Sequence, residues 1–224
     1  MRAIIFDTET TGFDDPIKIV EAAYIPIDDS FRVTGPSYCQ RFNPERPISY
    51  GAMATHNIMA SDVVSCFPAC TFTLPGEVEY LIGHNIDYDW GSIGRPEANA
   101  SGIPIKRIDT LALCRKHYPD CDSHKQSAMM YYLFGEAAKE MVAGAHSALV
   151  DVTNLRFILG SLKSLLGFKN LEELYEMSEA ARIPDKITFG KHDGTLIKDL
   201  PRDYVSWLLR QDWLDPYLRI ALQK

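Results

Sequence analysis

The chain has no cysteine pair at CxxC spacing, no apolar run long enough to cross a bilayer, no internal repeat and no low-complexity stretch. Its five cysteines, Cys39, Cys66, Cys70, Cys114 and Cys121, are odd in number. They read as free thiols in a reducing compartment, the cytoplasm, rather than as a disulfide frame. Cys66 and Cys70 read as packing residues, since no Cys or His pair stands near them at zinc spacing. The early apolar run Ala3 to Phe6 stops at Asp7 and is too short for a signal-peptide core. Positive charge is also scarce, with 23 Lys and Arg against 30 Asp and Glu and a formal net charge of −7. Phosphate affinity comes mainly from Lys and Arg, so that balance disfavours a protein that coats long DNA. It leaves room for an enzyme that grips one strand end through cations held by its own carboxylates. Two divalent ions would bring the balance of −7 to −3.

What is present is ordinary for a globular fold: 224 residues, 46% of them hydrophobic and 24% charged. That length suits one sizeable α/β domain with an appended segment. Ala3 to Phe6, Ile17 to Ile27 and Phe31 to Phe42 read as three strands joined by short turns, the second turn being Asp28-Asp29-Ser30. They predict an antiparallel meander. Helical patterning follows over Gly51 to Ala60, then a strand at Val78 to Ile82 broken by Gly83, and a helix from about Tyr88. Pro104 to Ile108 gives a fifth strand, leading into a helix from Thr110 to His117. Ser123 to Phe134 is predicted helical with Ser123 as N-cap. Leu149, Val152, Leu155, Ile158, Leu159, Leu162 and Leu166 recur at helical spacing between Gly144 and Gly167, predicting a long helix over Ser147 to Leu166. The texture changes after Gly167. The organisation expected is a domain over 1–167 and a helical appendage over 168–224. Residues 186–224 carry seven Lys/Arg and five Asp/Glu, a net of +2, against −9 for the remainder.

Chemistry-bearing residues gather at element ends. Asp7 and Glu9 close the first strand, and side chains at i and i+2 share one face of a strand, about 6–7 Å apart. Two such carboxylates can bind hard cations that prefer oxygen. Gly83-His84-Asn85-Ile86-Asp87-Tyr88-Asp89 follows another apolar strand and offers two acids, Asp87 and Asp89, between which spacing does not choose. His84 and Asn85 read as turn residues held by Asx-type hydrogen bonds. His146 and Asp151 are five residues apart, about 140° around a helix, and cannot share one face. Asp151 can sit on the helix while His146 projects from the loop beside Gly144, placed to act as a general base. Each piece alone is as consistent with a solvated strand end or a surface histidine. Together they predict a carboxylate cluster around two cations about 3.5–4 Å apart, which clamp an in-line phosphoryl displacement.

The stretches Asp7-Thr8-Glu9-Thr10-Thr11-Gly12, His84 to Asp89 and His146 to Asp151 resemble the three motifs of DEDDh exonucleases, the superfamily that includes the DnaQ proofreading subunit. The resemblance runs from residue 1 to about 166. It implies α/β architecture of the ribonuclease-H-like kind, a mixed five-stranded sheet flanked by helices. It also implies that Asp7, Glu9, Asp89 and Asp151 hold two Mg²⁺ or Mn²⁺ ions, with His146 as general base and activity rising with pH as that histidine loses its proton. Tyr88 selects Asp89 over Asp87, because the second motif ends in the acid after an aromatic; the more common residue at Tyr88 is Phe. Arg46 to Ile58 is similar to the segment that lines the 3′-terminal nucleotide pocket in that family, which puts His56 and Ile58 against the terminal sugar or base. Thr8, Thr10, Thr11, His84 and Asn85 join them as substrate-contact candidates.

Thr188 to Gly194, with Asp199, Tyr204, Ser206 and Trp207, is similar to the tail of the exonuclease X branch. That similarity implies a distributive 3′–5′ exodeoxyribonuclease acting on single-stranded DNA and duplex 3′ ends, in DNA repair. Lys191, Lys198, Arg202 and Arg210 interleave with Phe189, Tyr204, Trp207 and Trp213, the mixture a single strand needs. Lys191 and Lys198 are the expected DNA contacts, whereas Trp207 and Trp213 read more simply as aromatics that an amphipathic helix from Arg202 to Arg210 docks on the main domain. An RNA-trimming enzyme on the same scaffold is the nearest alternative, since nothing in the sequence reads a 2′-hydroxyl. An inert nucleic-acid or polymerase scaffold is another, disfavoured because five titrating groups would have no reason to persist.

Overall fold

The computed structural model describes residues 2–96 and 99–224. It divides into two compact units, Met1–Ser178 and Glu179–Lys224.

The first unit is built on a five-stranded sheet in the order β3-β2-β1-β4-β5. Strand β1 (Ala3–Thr10) is central, antiparallel to β2 (Ile19–Ile27) and parallel to β4 (Tyr80–Gly83). Strands β3 (Tyr38–Arg41) and β5 (Lys106–Asp109) form the edges, β3 antiparallel to β2 and β5 parallel to β4. The sheet is mixed, with antiparallel pairing confined to its first three strands. A central strand is covered on both faces, and Ala3, Ile4, Ile5 and Phe6 are accordingly all fully buried. One face packs Ile4, Phe6, Ile19, Ala22 and Leu81 against Ile86 and Trp90. The third strand is shorter than Phe31 to Phe42. Phe31 has φ 67°, a left-handed value that no strand accommodates, and only an isolated Ile27–Val33 bridge precedes Tyr38.

The helices of this unit are α1 (Tyr50–His56), α2 (Ala60–Val63), α3 (Ile86–Ser92), α4 (Thr110–His117), α5 (Gln126–Phe134), α6 (Ala138–Met141), α7 (Ala148–Leu166) and α8 (Leu171–Arg182), which runs past the division. Helix α5 starts three residues after Ser123, with no side-chain cap at Lys125. Gly83 is the last residue of β4 rather than its breaker: a Cβ there would lie 2.6 Å from Ile86 Cδ1, so only glycine lets α3 turn back so tightly. Helix α7 packs on β1 and β2 through Val152, Leu155, Ile158, Leu159 and Leu162, and ends at Gly167 in the left-handed conformation. Helix α8 is tied to the sheet, with Ser178 Oγ accepting from Asp109 N at 2.8 Å. The expected change of texture at 168 therefore precedes the structural division.

The second unit has a core of its own: Ile187, Leu200, Leu208, Leu214, Leu218 and Leu222. It contains α9 (Arg202–Leu208) and α10 (Pro216–Leu222), the latter capped by Asp215, which accepts from Tyr217 N and Leu218 N.

Candidate active site

Acidic side chains converge at the end of β1. Asp7 and Glu9 alternate with Thr8 and Thr10, so the two acids share one face of the strand. Asp89 comes from α3 and is 4% exposed. Its Oδ1 accepts from Thr8 N at 2.9 Å and from Thr8 Oγ1 at 2.7 Å. Asp87 points elsewhere, ion-paired with Arg107. The geometry thus separates the two acids that spacing left equal.

Asp151 lies in the first turn of α7, and His146 precedes the helix at φ 67°. This left-handed value is uncommon for a residue with a Cβ, and strained positions gather at functional sites. The bend is held from within, since Asp151 Oδ2 accepts from His146 N at 3.0 Å. Glu9, His146 and Asp151 each present a ligand atom within 4.8 Å of the others, with Glu9 buried and His146 exposed.

Burial and mutual repulsion dominate the electrostatics. Burial, then Asp89, Asp151 and Glu9, push the Asp7 carboxyl well above its ordinary value. Burial, then Asp151, Glu21 and Asp89, push Glu9 up to about 9. Asp89 rises to about 7 through burial, a rise that its bonds from Thr8 restrain. Asp151 is also raised by burial, with the His146 N–H opposing. The cluster is under-supplied with positive charge.

A sequence model of the exonuclease family, RNase_T, matches residues 4–158, from the first strand into helix α7. The chain belongs to the DnaQ-like exonuclease family. It is a 3′–5′ exonuclease, 30% identical over 227 residues to Exodeoxyribonuclease 10 of Escherichia coli (strain K12), covering 98% of this chain and 96% of that one. DNA polymerase III subunit epsilon of Buchnera aphidicola subsp. Acyrthosiphon pisum (strain APS) is 27% identical over 180 residues, 74% of this chain and 72% of its own. The solved structure of Exonuclease X in complex with 5′ overhanging duplex DNA superposes with a TM-score of 0.58 at 23% identity, covering 79% of this chain and 99% of that one. A second family model, described as a putative quorum-sensing-regulated virulence factor, matches residues 173–223.

The remaining motif residues of this exonuclease mostly face inward. Thr8 is occupied by Asp89, Thr10 Oγ1 by the Tyr88 hydroxyl, and Thr11 Oγ1 accepts from Lys18 N at 3.3 Å. His56 Nδ1 accepts from Ile58 N at 3.0 Å, so its proton sits on Nε2, which donates to the Thr10 carbonyl at 3.1 Å. Ile58 is 2% exposed. His84 is engaged by Thr110 Oγ1 at 3.0 Å and by the His124 carbonyl at 2.7 Å. Asn85 adopts φ 77°, and its N–H donates to Asp109 Oδ1 at 2.9 Å. Thr8, Thr10, Thr11, His56 and His84 are wall-builders whose polar side-chain atoms hold the loops around the acids, whereas Asn85 is exposed and contributes its backbone N–H. Lys191 belongs to the second unit.

Three residues at the site escaped sequence reasoning. Glu21, directly across from Glu9 in the β1–β2 register, accepts from Ala148 N at 2.9 Å and from Ser147 Oγ at 3.4 Å, while Arg41 Nε lies 3.2 Å from its other oxygen. It anchors the start of α7. Gln126 Nε2 donates to the Asp151 carbonyl at 2.9 Å and to its Oδ1 at 3.2 Å. Phe13, 87% exposed, lies with its ring centroid 5.5 Å from that of Tyr88. Glu21 did leave a signal, a charge in the middle of the apolar run Ile19 to Ile27.

Proposed function

We propose that the chain is a divalent-metal-dependent 3′–5′ exodeoxyribonuclease that removes nucleoside 5′-monophosphates from single-stranded DNA and duplex 3′ ends. The observation that carries this reading is the gathering of Asp7, Glu9, Asp89 and Asp151 with His146 around one end of β1. Its resemblance to an Escherichia coli exodeoxyribonuclease along nearly the whole chain favours DNA over RNA.

The donor set fits two hard cations. Carboxylate oxygens favour Mg²⁺ or Mn²⁺ over zinc, and carboxyls whose pKa values are raised by burial and by one another are stabilised by added positive charge. Asp7, Glu9, Asp89 and Asp151 would hold the ions. Bound there, they would supply Lewis-acid stabilisation of charge on the phosphate and of the departing oxygen. Asp89 offers chiefly Oδ2, since Thr8 already occupies its Oδ1. Glu21 and Gln126 hold α7 and the Asp151 backbone in place.

His146 takes the proton of the attacking water. The water oxygen bonds to phosphorus, and the bond from phosphorus to the 3′ oxygen breaks with its electron pair on that oxygen. The oxygen leaves on the shortened strand and takes up a proton from solvent as its 3′ hydroxyl. The released nucleotide carries the phosphate on its 5′ side. Phe13 and Tyr88 offer ring surface beside the acids for the terminal base. We assign the chemistry to the first unit, with the segment around Lys191 as an accessory strand contact.

The test is hydrolysis of a 5′-labelled single-stranded DNA with Mg²⁺ or Mn²⁺ by the parent chain, Asp7→Ala and His146→Ala. The expected result is a descending ladder from the parent alone, abolished by chelation. A ladder only on the matched RNA strand moves the assignment to RNA. No ladder on either strand overturns it.

A further inference from the structure

The second unit contains a cavity of about 480 Å³ whose walls include Phe189, Lys191, Asp203, Tyr204, Trp207 and Trp213. Tyr204 and Trp207 are stacked, with ring centroids 5.5 Å apart and planes 26° apart. Trp213 stands at 64° to Trp207, centroids 6.3 Å apart, and Phe189 closes the far side at 5.9 Å from Trp213. The Lys191 ammonium lies 5.5 Å from the Tyr204 ring centroid. Trp207 and Trp213 are 43% and 60% exposed, although this unit buries six aliphatic residues in a core of its own. Leaving two indoles in water when leucines are buried nearby marks a surface kept for a ligand.

We propose that this cavity takes an unpaired base of a single nucleic-acid strand, with the adjoining phosphates on Lys191 and its basic neighbours. The inference rests on the exonuclease reading above and extends it to a second, base-dependent contact. Two features select this occupant. The indole faces stand as floor and wall of a slot, which suits a flat π-system, and stacking tolerates any base. Lys191, Lys198, Arg202 and Arg210 are exposed, and among the described residues none has a carboxylate within ion-pairing distance. Lys191, in the cavity wall, is therefore free to meet a phosphate next to the stacked base, and the other three leave further positive charge unpaired on the same unit. Asp203, on the same wall, adds an acceptor for an exocyclic amine.

The experiment compares a 20-nucleotide thymidine oligomer with an abasic strand of equal length and charge. Binding to the full chain is measured by fluorescence anisotropy in chelator, so that cleavage does not intervene. The parent is expected to prefer the thymidine strand. Trp207→Ala and Trp213→Ala are expected to weaken that strand about tenfold and to leave the abasic strand little changed. Trp207→Phe, which keeps a ring face, should retain most of the preference. Tryptophan emission of the parent should be quenched by the thymidine strand and not by the abasic one, a readout free of any substitution; the third tryptophan, Trp90, is buried. Equal affinity of the parent for both strands, or equal weakening on both in the variants, overturns the proposal. If the parent cleaves DNA and yet shows no base-dependent binding, the cavity assignment alone fails. Base-dependent binding without cleavage, weakened in Trp207→Ala and Trp213→Ala, supports the cavity and removes the hydrolytic assignment instead. Base dependence left intact in both variants belongs to another surface and overturns the proposal.

Discussion

The two units hold charge in opposite ways. Around β1, buried and half-buried carboxylates crowd one another, and Arg41 on Glu21 is the nearby cation that the described ion pairs record. In Glu179–Lys224, four basic side chains, of which Lys191 lies beside the exposed rings, stand in water and pair with no acid among the described residues. The first arrangement is unfavourable until cations arrive; the second is complete as it stands. An acidic protein can therefore handle a polyanion, because the charge that matters sits at two places rather than in the total of −7.

The largest effect that would sharpen this contrast is on the chemical step. His146→Ala should lower kcat by roughly 10²–10⁴-fold, with KM for a single strand nearly unchanged, in steady-state assays. A fall in affinity instead would make His146 a binding group. Next comes the scaffold under the acids. Glu21→Ala frees the start of α7 and should cost about 10–100-fold in activity or in metal affinity read by calorimetry, while Glu21→Gln, which keeps an acceptor oxygen, should recover most of it. Equal losses in both variants would show that the charge of Glu21, not its hydrogen bond, is what counts.

The smallest effect concerns stability. Glu9 and Asp89 have pKa values raised to about 9 and about 7 in the fold, so between pH 5 and 9 the folded chain binds more protons than the unfolded chain. Without metal, the thermal midpoint should fall as pH rises across that window. Asp89→Asn should flatten the slope between pH 5 and 7, and saturating Mg²⁺ should flatten it throughout. A slope unaffected by either change would mean that the acids are not the source.

Much of the site was legible because its signals are local. Asp7 and Glu9 follow directly from strand alternation, and Asp151 with His146 from the opening of a helix whose apolar spacing is plain. The sheet was legible for the same reason, strand by strand. Distance in sequence hid the rest. Glu21 meets Ala148 across 127 positions, and nothing near either residue announces the other. The same holds for His84, whose partner carbonyl at His124 lies 40 residues away, so a histidine set beside a functional motif turned out to be a strut. Ser123 has the chemistry of a cap, yet helix α5 begins only at Gln126, and tertiary packing rather than capping preference sets that start. The exposure of Trp207 and Trp213 was hidden too, because an amphipathic stripe looks alike whether its aromatics are covered or open.

The central place of β1 has one more consequence. Hydrogen bonding on both edges locks its register, with Asp7 opposite Ala23 and Glu9 opposite Glu21. Adding or removing a single residue between Ala3 and Asp7 would turn Thr8 toward the cluster and drive the acids into the packing on the other side. Substitution can tune this segment, but insertion and deletion cannot, so its length should be the most rigid quantity in the chain.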